Sequence, residues 1–191
     1  AELERAVLSD ARVSCVLDAM ADPRHAGART LVFCVTIAHA DRTATALRDA
    51  KMRVACVHSG PGATARAAAI RDLERGHLDA IVAVDVFNEG VDVPSRDRVV
   101  LLRPTDSPTV FLQQIGRGLR LHEGKRSLTV LDLVGNHRRA NARLALLGVT
   151  RDEVTRAPPG ATFHRRWDDG REVVLSPEAI DAVKAVEKAI T

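Results

Sequence analysis

Short apolar runs alternate with longer amphipathic segments along the chain up to Gly148. Each run is four or five residues long and has almost no polar position, which is typical of strands buried on both faces of a parallel sheet. The predicted strands are residues 31–35, 53–57, 80–84, 99–102 and 128–131.

Between these runs, apolar residues recur every three or four positions, as they do on the buried face of a helix. Strands that alternate with helices at this spacing predict βαβ units, and therefore a doubly wound parallel α/β domain. Ligands of such domains bind at the carboxyl ends of the strands, where Thr36, His58, Asp85 and Asp132 fall. The predicted helices are residues 2–20, 38–50, 63–75, 107–121 and 136–147, the last with Gly148 as its C-cap.

The pattern changes after Gly148. Two strand-like runs, 163–167 and 171–175, flank an Asp-Asp-Gly turn and predict a hairpin. Ser176 and Pro177 are predicted to open a final helix as its N-cap and first helical residue. We therefore expect three segments: a leading helix in residues 1–24, the α/β domain in residues 25–148, and a hairpin-and-helix extension in residues 149–191.

The composition is that of an ordinary globular protein, with 46% apolar residues, 28% charged residues and a formal net charge of +3. Arginine supplies 24 of the 28 basic residues. Arginine favours bidentate contacts with phosphate, but a GC-rich gene produces the same bias, so composition leaves both causes open.

Three cysteines without CxxC spacing, Cys15, Cys34 and Cys56, are expected to be reduced thiols of a cytoplasmic protein. Their spacing predicts no metal site. No apolar run reaches the roughly 18 residues of a membrane span, so we expect no membrane partner.

Residues 113–120 carry two arginines three positions apart within the helix predicted at 107–121. Arg117 and Arg120 therefore project from one helix face. Gly116, directly before Arg117, allows a backbone or a ligand to approach closely because it has no side chain. Such a pair suits a polyphosphate, although a solvated basic helix face would show the same pattern.

Three stretches, in this order, resemble the second RecA-like domain of superfamily 2 helicases and translocases. Residues 31–36 resemble motif IV, residues 85–94 resemble motif V, and residues 113–120 fit the QxxGRxxR form of motif VI. The resemblance extends over residues 25–148. Within it, residues 87–94 are similar to bacterial helicases of the type III restriction subunit (Res) group, among the wider DEAD/DEAH-like helicases.

The resemblance implies a nucleotide site shared with an N-terminal RecA-like lobe that would bind most of the ATP and Mg²⁺. Arg117 and Arg120 would be arginine fingers on the γ-phosphate of ATP, where planar and permanently charged guanidinium groups stabilise the transition state. Gln113 and Gly116 would lie at the nucleotide.

Gly90 would approach the same nucleotide, and the Asp92 carboxylate would accept a hydrogen bond from its ribose. A plain turn carboxylate before Pro94 is the other reading of Asp92. Contacts with a nucleic-acid backbone, which position it without reading its sequence, are implied for four residues. These residues are Thr36, Ser59, Gly60 and Asp85. The restriction-type resemblance favours DNA over RNA as the nucleic acid.

Some features depart from the helicase pattern. Val84 stands where motif V often has Thr or Ser, and Gln114 and Leu119 stand where many DEAD-box proteins have Arg and Gly. The sequence has no GxxxxGK[ST] loop, and we expect the carboxylate of a DExx motif to be missing too, so the isolated chain should not hydrolyse ATP. The alternative is a non-catalytic nucleic-acid-binding or partner-docking module that keeps the fold without using the arginines.

Overall fold

A sheet of five parallel strands is the centre of the first of two units into which the chain divides, Ala1–Val134 and Gly135–Thr191. The computed structural model describes residues 10–23, 26–58, 63–84, 97–103, 128–132, 144–145, 147–168 and 172–185. The strands of the sheet are β1 (Thr30–Phe33), β2 (Val54–Val57), β3 (Ala80–Ala83), β4 (Arg98–Leu101) and β5 (Thr129–Asp132).

The strand order is β2-β3-β1-β4-β5, so β1 lies at the centre of the sheet. In register, Phe33 of β1 is level with Ala83 of β3 and Leu101 of β4. The ladder continues beyond the strands, because the Cys34 N–H donates to the Ala83 carbonyl at 2.8 Å and the Leu102 N–H to the Phe33 carbonyl at 2.9 Å. All five strands therefore end at the same side of the sheet, which we call the carboxyl edge.

Helices α1 (Asp10–Ala21), α2 (Ile37–Asp49) and α3 (Ala63–Glu74) cover the two faces of the sheet. The step from β1 to β2 crosses the sheet in one direction, and the step from β2 to β3 comes back. Because such crossovers are right-handed, α2 and α3 are expected on opposite faces. The packing agrees with this expectation.

Alternate residues of the buried strands point to opposite faces, which separates two cores. On one face α3 contributes Ala69 and Leu73, packed on strand residues that include Leu31, Phe33, Ile81, Ala83, Val99 and Leu101. On the other face α2 contributes Ala40, Ala44 and Leu47, and α1 contributes Val16, packed on residues that include Val32, Cys34, Ala80, Val82 and Val100. The continuous apolar runs in the sequence predicted strands with two buried faces. The two cores explain these runs, because side chains on both faces of the sheet are buried.

Three helical segments end in the same way, with one residue of positive φ and then an N–H that reaches back five positions. After α2, Lys51 has φ +66°, and the Met52 N–H donates to the Leu47 carbonyl at 3.1 Å. The residue of positive φ is Gly76 after α3, with φ +72°. After the helical residues 144–145 it is Gly148, with φ +77°. The predicted C-cap at Gly148 is therefore confirmed, whereas α2 has a lysine where glycine would be least strained.

The outer edge of β2 is covered by Arg48 of α2. The Arg53 and Val57 carbonyls accept hydrogen bonds from β3, so the Val54 carbonyl points away from the sheet. The Nε and Nη2 atoms of Arg48 both donate to this carbonyl, at 3.1 and 3.0 Å. An open strand edge is a template for further strand pairing, and a charged side chain is one of the ways in which proteins block it.

The second unit contains α4 (Arg151–Thr155), the antiparallel hairpin β6 (Phe163–Arg166) and β7 (Glu172–Leu175), and α5 (Pro177–Ala185). Alternate hairpin residues are exposed, and the others pack towards the core of the unit. That core consists of Leu144, Val149, Val154, Ile180 and Val183, with partly buried neighbours Ala157, Phe163, Trp167, Val173 and Leu175.

Hydrogen bonds at two helix starts fix the local geometry of this unit. Thr150 and Glu153 form a capping box at α4, in which the Thr150 N–H donates to Glu153 Oε2 at 2.8 Å and the Glu153 N–H to Thr150 Oγ1 at 3.4 Å. At α5 the Ala179 N–H donates to Ser176 Oγ at 3.3 Å, which confirms the predicted N-cap.

All five predicted strands and the hairpin are confirmed within two residues at their ends, and the final helix begins where it was predicted. The predicted start of the first helix, residues 2–9, and the continuation of the final helix to Ile190 lie outside the described residues. Helix α4 was not predicted. The predicted helix at 107–121 lies outside the described residues, and of the helix predicted at 136–147 only residues 144 and 145 are described as helical. Leu144 packs into the core of the second unit, although the sequence had grouped it with the α/β domain.

Candidate functional site

The carboxyl edge of the sheet is where ligands of doubly wound α/β domains bind. Thr36 follows β1 there, His58 follows β2, and Asp132 is the last residue of β5. Arg103 follows β4, two residues beyond the Leu101–Phe33 pair, which puts it beside the turn that leaves β1. The structure thus places a hydroxyl, an imidazole, a guanidinium and a carboxylate along one edge.

Thr36 is the N-cap of α2. Its backbone is extended, with φ −129° and ψ 161°, and its Oγ1 accepts a hydrogen bond from the His39 N–H at 3.2 Å. The next residue, Ile37, begins the helix and leaves 43% of its surface exposed. A helix start carries a partial positive charge and unpaired N–H groups, so this corner of the carboxyl edge is favourable for anions.

Behind this corner lies His39, which is only 2% exposed. Its Nδ1 accepts from the Val35 N–H at 3.5 Å, at the long end of the hydrogen-bond range. The Thr43 hydroxyl donates to the His39 carbonyl at 2.9 Å. Sequence reasoning gave no role to His39, because only the fold brings its ring to the turn that leaves β1.

Thr36 is the one sequence-predicted site residue that falls within the described part of the chain. His58, which directly precedes the predicted residue Ser59, lies at the carboxyl edge after β2. Val84, which directly precedes the predicted residue Asp85, lies there after β3. The predicted site residues outside the described part are Ser59, Gly60, Asp85, Gly90, Asp92, Gln113, Gly116, Arg117 and Arg120.

The cysteines are all free, and their surroundings differ. Burial raises the pKa of Cys34 to about 12. Burial, with a hydrogen bond to Asp41, raises the pKa of Cys56 to about 11. Only the thiolate is a strong nucleophile, so we expect the buried Cys34 and the partly buried Cys56 to react more slowly than Cys15, which is exposed.

Two adjacent arginines of the hairpin, Arg165 and Arg166, form ion pairs within the second unit. Arg165 pairs with Glu153, and its guanidinium lies 4.6 Å from the centre of the Trp167 ring. Arg166 pairs with Glu172 at 2.8 Å. Both arginines are therefore engaged in contacts inside the unit.

The sequence does contain one Asp-Glu-x-x string, residues 152–155, which corrects the expectation that such a string is missing. It forms most of α4, where Glu153 caps the helix start. Hydrogen bonds from Thr150, first from its backbone and then from its side chain, lower the pKa of Glu153. The contacts of Glu153 are those of a helix cap and an ion pair with Arg165, so this string has a structural role.

Within the described ranges, no group of three or more His, Cys, Asp and Glu side chains is arranged to hold a metal ion. None of the helices in the part of the chain that the structure describes is long and apolar enough to cross a membrane.

A parallel sheet of this order, with helices on both faces, defines a RecA-like doubly wound domain. Residues 11–122 match the family model of the helicase conserved C-terminal domain, which is more than half of the chain. The chain belongs to this family, the C-terminal RecA-like domain that is found in superfamily 2 helicases.

Curated relatives agree with this family. The chain is 36% identical over 127 residues to irc3 of Schizosaccharomyces pombe, named as a mitochondrial ATP-dependent helicase, covering 65% of the chain and 21% of the relative. It is 33% identical over 104 residues to the UvrABC system protein B of Thermus thermophilus, covering 52% of the chain and 16% of the relative. The chain therefore spans between about a sixth and a fifth of the length of these curated relatives.

Solved structures show the same fold. The C-terminal domain of the DEAD-box protein Dbp5 superposes with a TM-score of 0.55 at 20% identity, over 63% of this chain and 71% of that one. The RNA-helicase Prp28 from Chaetomium thermophilum superposes with a TM-score of 0.62 at 17% identity, over 74% of this chain and 35% of that one.

Proposed function

We propose that the chain is the second lobe of an ATP-dependent nucleic-acid helicase or translocase, and that it completes an ATP site supplied mainly by an N-terminal RecA-like lobe. The observation that carries this proposal is the family match over residues 11–122, because it includes the carboxyl ends of β1 to β4 and the paired arginines. Curated relatives named as ATP-dependent helicases support it.

Arg117 and Arg120 are proposed as arginine fingers on the γ-phosphate. Charge spreads over the phosphoryl oxygens in the transition state, and fixed guanidinium groups stabilise it without reorganisation. Gln113 and Gly116 are proposed to lie at the same nucleotide. The chain supplies no P-loop, so the Mg²⁺ and most of the triphosphate contacts belong to the other lobe.

Gly90 and Asp92 complete the proposed nucleotide contacts, with the Asp92 carboxylate accepting from a ribose hydroxyl. ATP then bridges two lobes, so that binding and hydrolysis close and open the cleft between them. This movement shifts the bound nucleic acid by steps.

A nucleic-acid backbone is proposed to follow the carboxyl edge, in contact with Thr36, Ser59, Gly60 and Asp85. The cap at α2 supports the role of Thr36, because capping uses a lone pair of Oγ1 and leaves the hydroxyl hydrogen to donate to a phosphate oxygen. The helix start behind it favours the same negative charge. DNA is the proposed nucleic acid, on the restriction-type resemblance of residues 87–94.

The test is ATP hydrolysis by the full-length protein, measured with and without single-stranded DNA or RNA. Arg117→Ala and Arg120→Ala should each lower the nucleic-acid-stimulated rate by at least roughly 10²–10³-fold, as expected for fingers. Arg75→Ala, an exposed arginine after α3 at the opposite edge of the sheet, is the matched control and should keep its rate.

Near-normal hydrolysis in both variants would contradict the assignment of the fingers. A protein that binds nucleic acid but shows no stimulated hydrolysis would instead be the docking module that the sequence left open. Stimulation of ATP hydrolysis by RNA but not by DNA would show that the nucleic acid is RNA and would contradict the proposal of DNA.

A further inference from the structure

We propose that His39 is a positioning residue, which holds the turn at Val35 and Thr36 in the geometry in which the Thr36 hydroxyl meets a nucleic-acid phosphate. This inference rests on the proposed function of the carboxyl edge. It adds a residue outside the motif that resembles motif IV, which ends at Thr36.

His39 is buried at the turn itself. The ring is only 2% exposed, and its Nδ1 faces the Val35 N–H at 3.5 Å. An accepting Nδ1 requires the neutral imidazole with its proton on Nε2. A leucine of similar bulk would fill the same space but would take the acceptor away from the Val35 N–H, and a partly buried donor that loses its acceptor costs free energy.

The three residues that leave β1 all contact the first turns of α2. Cys34 Sγ lies 3.8 Å from Thr43 Oγ1, Val35 donates to the His39 ring, and Thr36 accepts from the His39 N–H. The Thr43 hydroxyl donates to the His39 carbonyl at 2.9 Å, which fixes the residue itself. His39 thus contacts two successive residues of the turn, with its ring and with its backbone.

Oγ1 of Thr36 accepts from the helix start, which leaves its own hydrogen available to donate to a group outside α2. A shift of the turn would rotate this donor, and backbone contacts to phosphate depend on such fixed donors. His39 therefore acts on nucleic-acid binding through Thr36, without touching the nucleic acid.

Two variants separate this role from simple core packing. In His39→Asn the side-chain Oδ1 can occupy the position of Nδ1 and accept from Val35, whereas His39→Leu keeps apolar bulk and has no acceptor. The first measurement is hydrogen exchange of the Val35 amide. We expect exchange to be about tenfold faster in His39→Leu, from the loss of one hydrogen bond, and close to wild type in His39→Asn.

The second measurement, in the full-length protein, is the single-stranded DNA concentration that gives half-maximal stimulation of ATP hydrolysis. It should rise about tenfold in His39→Leu and be restored in His39→Asn, while the rate at saturating DNA stays unchanged in both. A purely structural role would not produce this split, because misfolding lowers the saturated rate as well.

Equal DNA requirements in the wild type and both variants would overturn the inference, and so would equal losses in both variants with a lowered melting temperature. A wild-type protein whose hydrolysis responds to neither DNA nor RNA would overturn the proposed function itself. The Val35 exchange data distinguish that case, since they report on the turn in the absence of any nucleic acid.

Discussion

Arg53 and Asp79 join the amino ends of β2 and β3 through both backbone and side chain. The Arg53 N–H and Nε donate to Asp79 Oδ2 at 2.8 and 3.1 Å, and the Asp79 N–H donates back to the Arg53 carbonyl at 2.9 Å. Arg29 and Asp97 repeat the arrangement between β1 and β4, with both donors at 3.1 Å from Asp97 Oδ2. Each pair stands one residue before its strands, so each fixes the register of two parallel strands where they begin.

The first pair predicts a pH-dependent contribution to stability. Hydrogen bonds from Arg53 hold the pKa of Asp79 below its usual value. Because the folded-state pKa is the lower one, this contribution is complete above the unfolded pKa of about 3.9 and is lost as the pH falls through the folded pKa. Asp79→Asn should therefore lower the free energy of unfolding at pH 7, and the difference from wild type should shrink below about pH 4.

Denaturant unfolding at several pH values measures this difference. Asp18→Asn, at an exposed position of α1, is the control and should change little at any pH. A deficit in Asp79→Asn that is equal at pH 7 and at pH 3 would show that the carboxylate charge has no part in it.

Lys51 should be replaceable by glycine with a gain in stability. It holds φ +66° at the end of α2, a conformation that costs a residue with a Cβ about 1 kcal/mol or more and costs glycine little. Lys51→Gly should raise the free energy of unfolding by about 0.5–1 kcal/mol, after subtraction of the greater flexibility of glycine in the unfolded chain. Thermal unfolding of the wild type and of Lys51→Gly at the same pH measures this difference in the free energy of unfolding.

The opposite substitution, of glycine by a residue with a Cβ, can be made at Gly76 after α3. A Cβ added there would meet nothing within 4 Å, so the cost of Gly76→Ala comes from its φ of +72° alone. We expect a loss of about 1 kcal/mol. Opposite signs at Lys51 and Gly76 would establish that backbone conformation, and not local contacts, decides both results.

Thiol labelling should distinguish the three cysteines. Cys15 should react promptly in the native protein, because it is exposed. A pKa of about 12 leaves Cys34 with roughly a thousandfold less thiolate than an ordinary cysteine, and burial blocks its access as well. Mass spectrometry after brief alkylation should find the label at residue 15, and at residues 34 and 56 only after denaturation.

The capping box of α4 should also be measurable. Thr150→Ala removes the acceptor at the helix start and should destabilise the second unit by about 1 kcal/mol. Thr162→Ala, an exposed threonine just before β6, is the matched control. Equal unfolding transitions in the two variants would contradict a stabilising cap.

Strands β1, β3 and β4 could be predicted from sequence because they are buried on both faces, and runs such as 31–35 and 80–84 therefore contain no polar positions. Helix α4 was missed because five residues are too few for a periodic signal. Its signal was local, a threonine followed three residues later by Glu153, which is the signature of a capping box.

The candidate site was predictable only in part. Thr36 was identified because it follows a buried strand, and the structure adds that its hydroxyl caps α2. His39 could not be found, because its role depends on the contact of its ring with Val35, four residues earlier, and periodicity alone marks it as a core position. The roles of Arg117 and Arg120 remain predictions from the motif that contains them.

Arg48 has a consequence for how the protein behaves at high concentration. Arg48 donates to the outward carbonyl of Val54, so this carbonyl is not available to accept a hydrogen bond from a strand of a second molecule that pairs with β2. Replacing Arg48 would leave the two cores untouched, yet it would expose a short apolar strand to its neighbours in solution. We therefore expect the solubility of this lobe at high concentration to depend on the Arg48 guanidinium group.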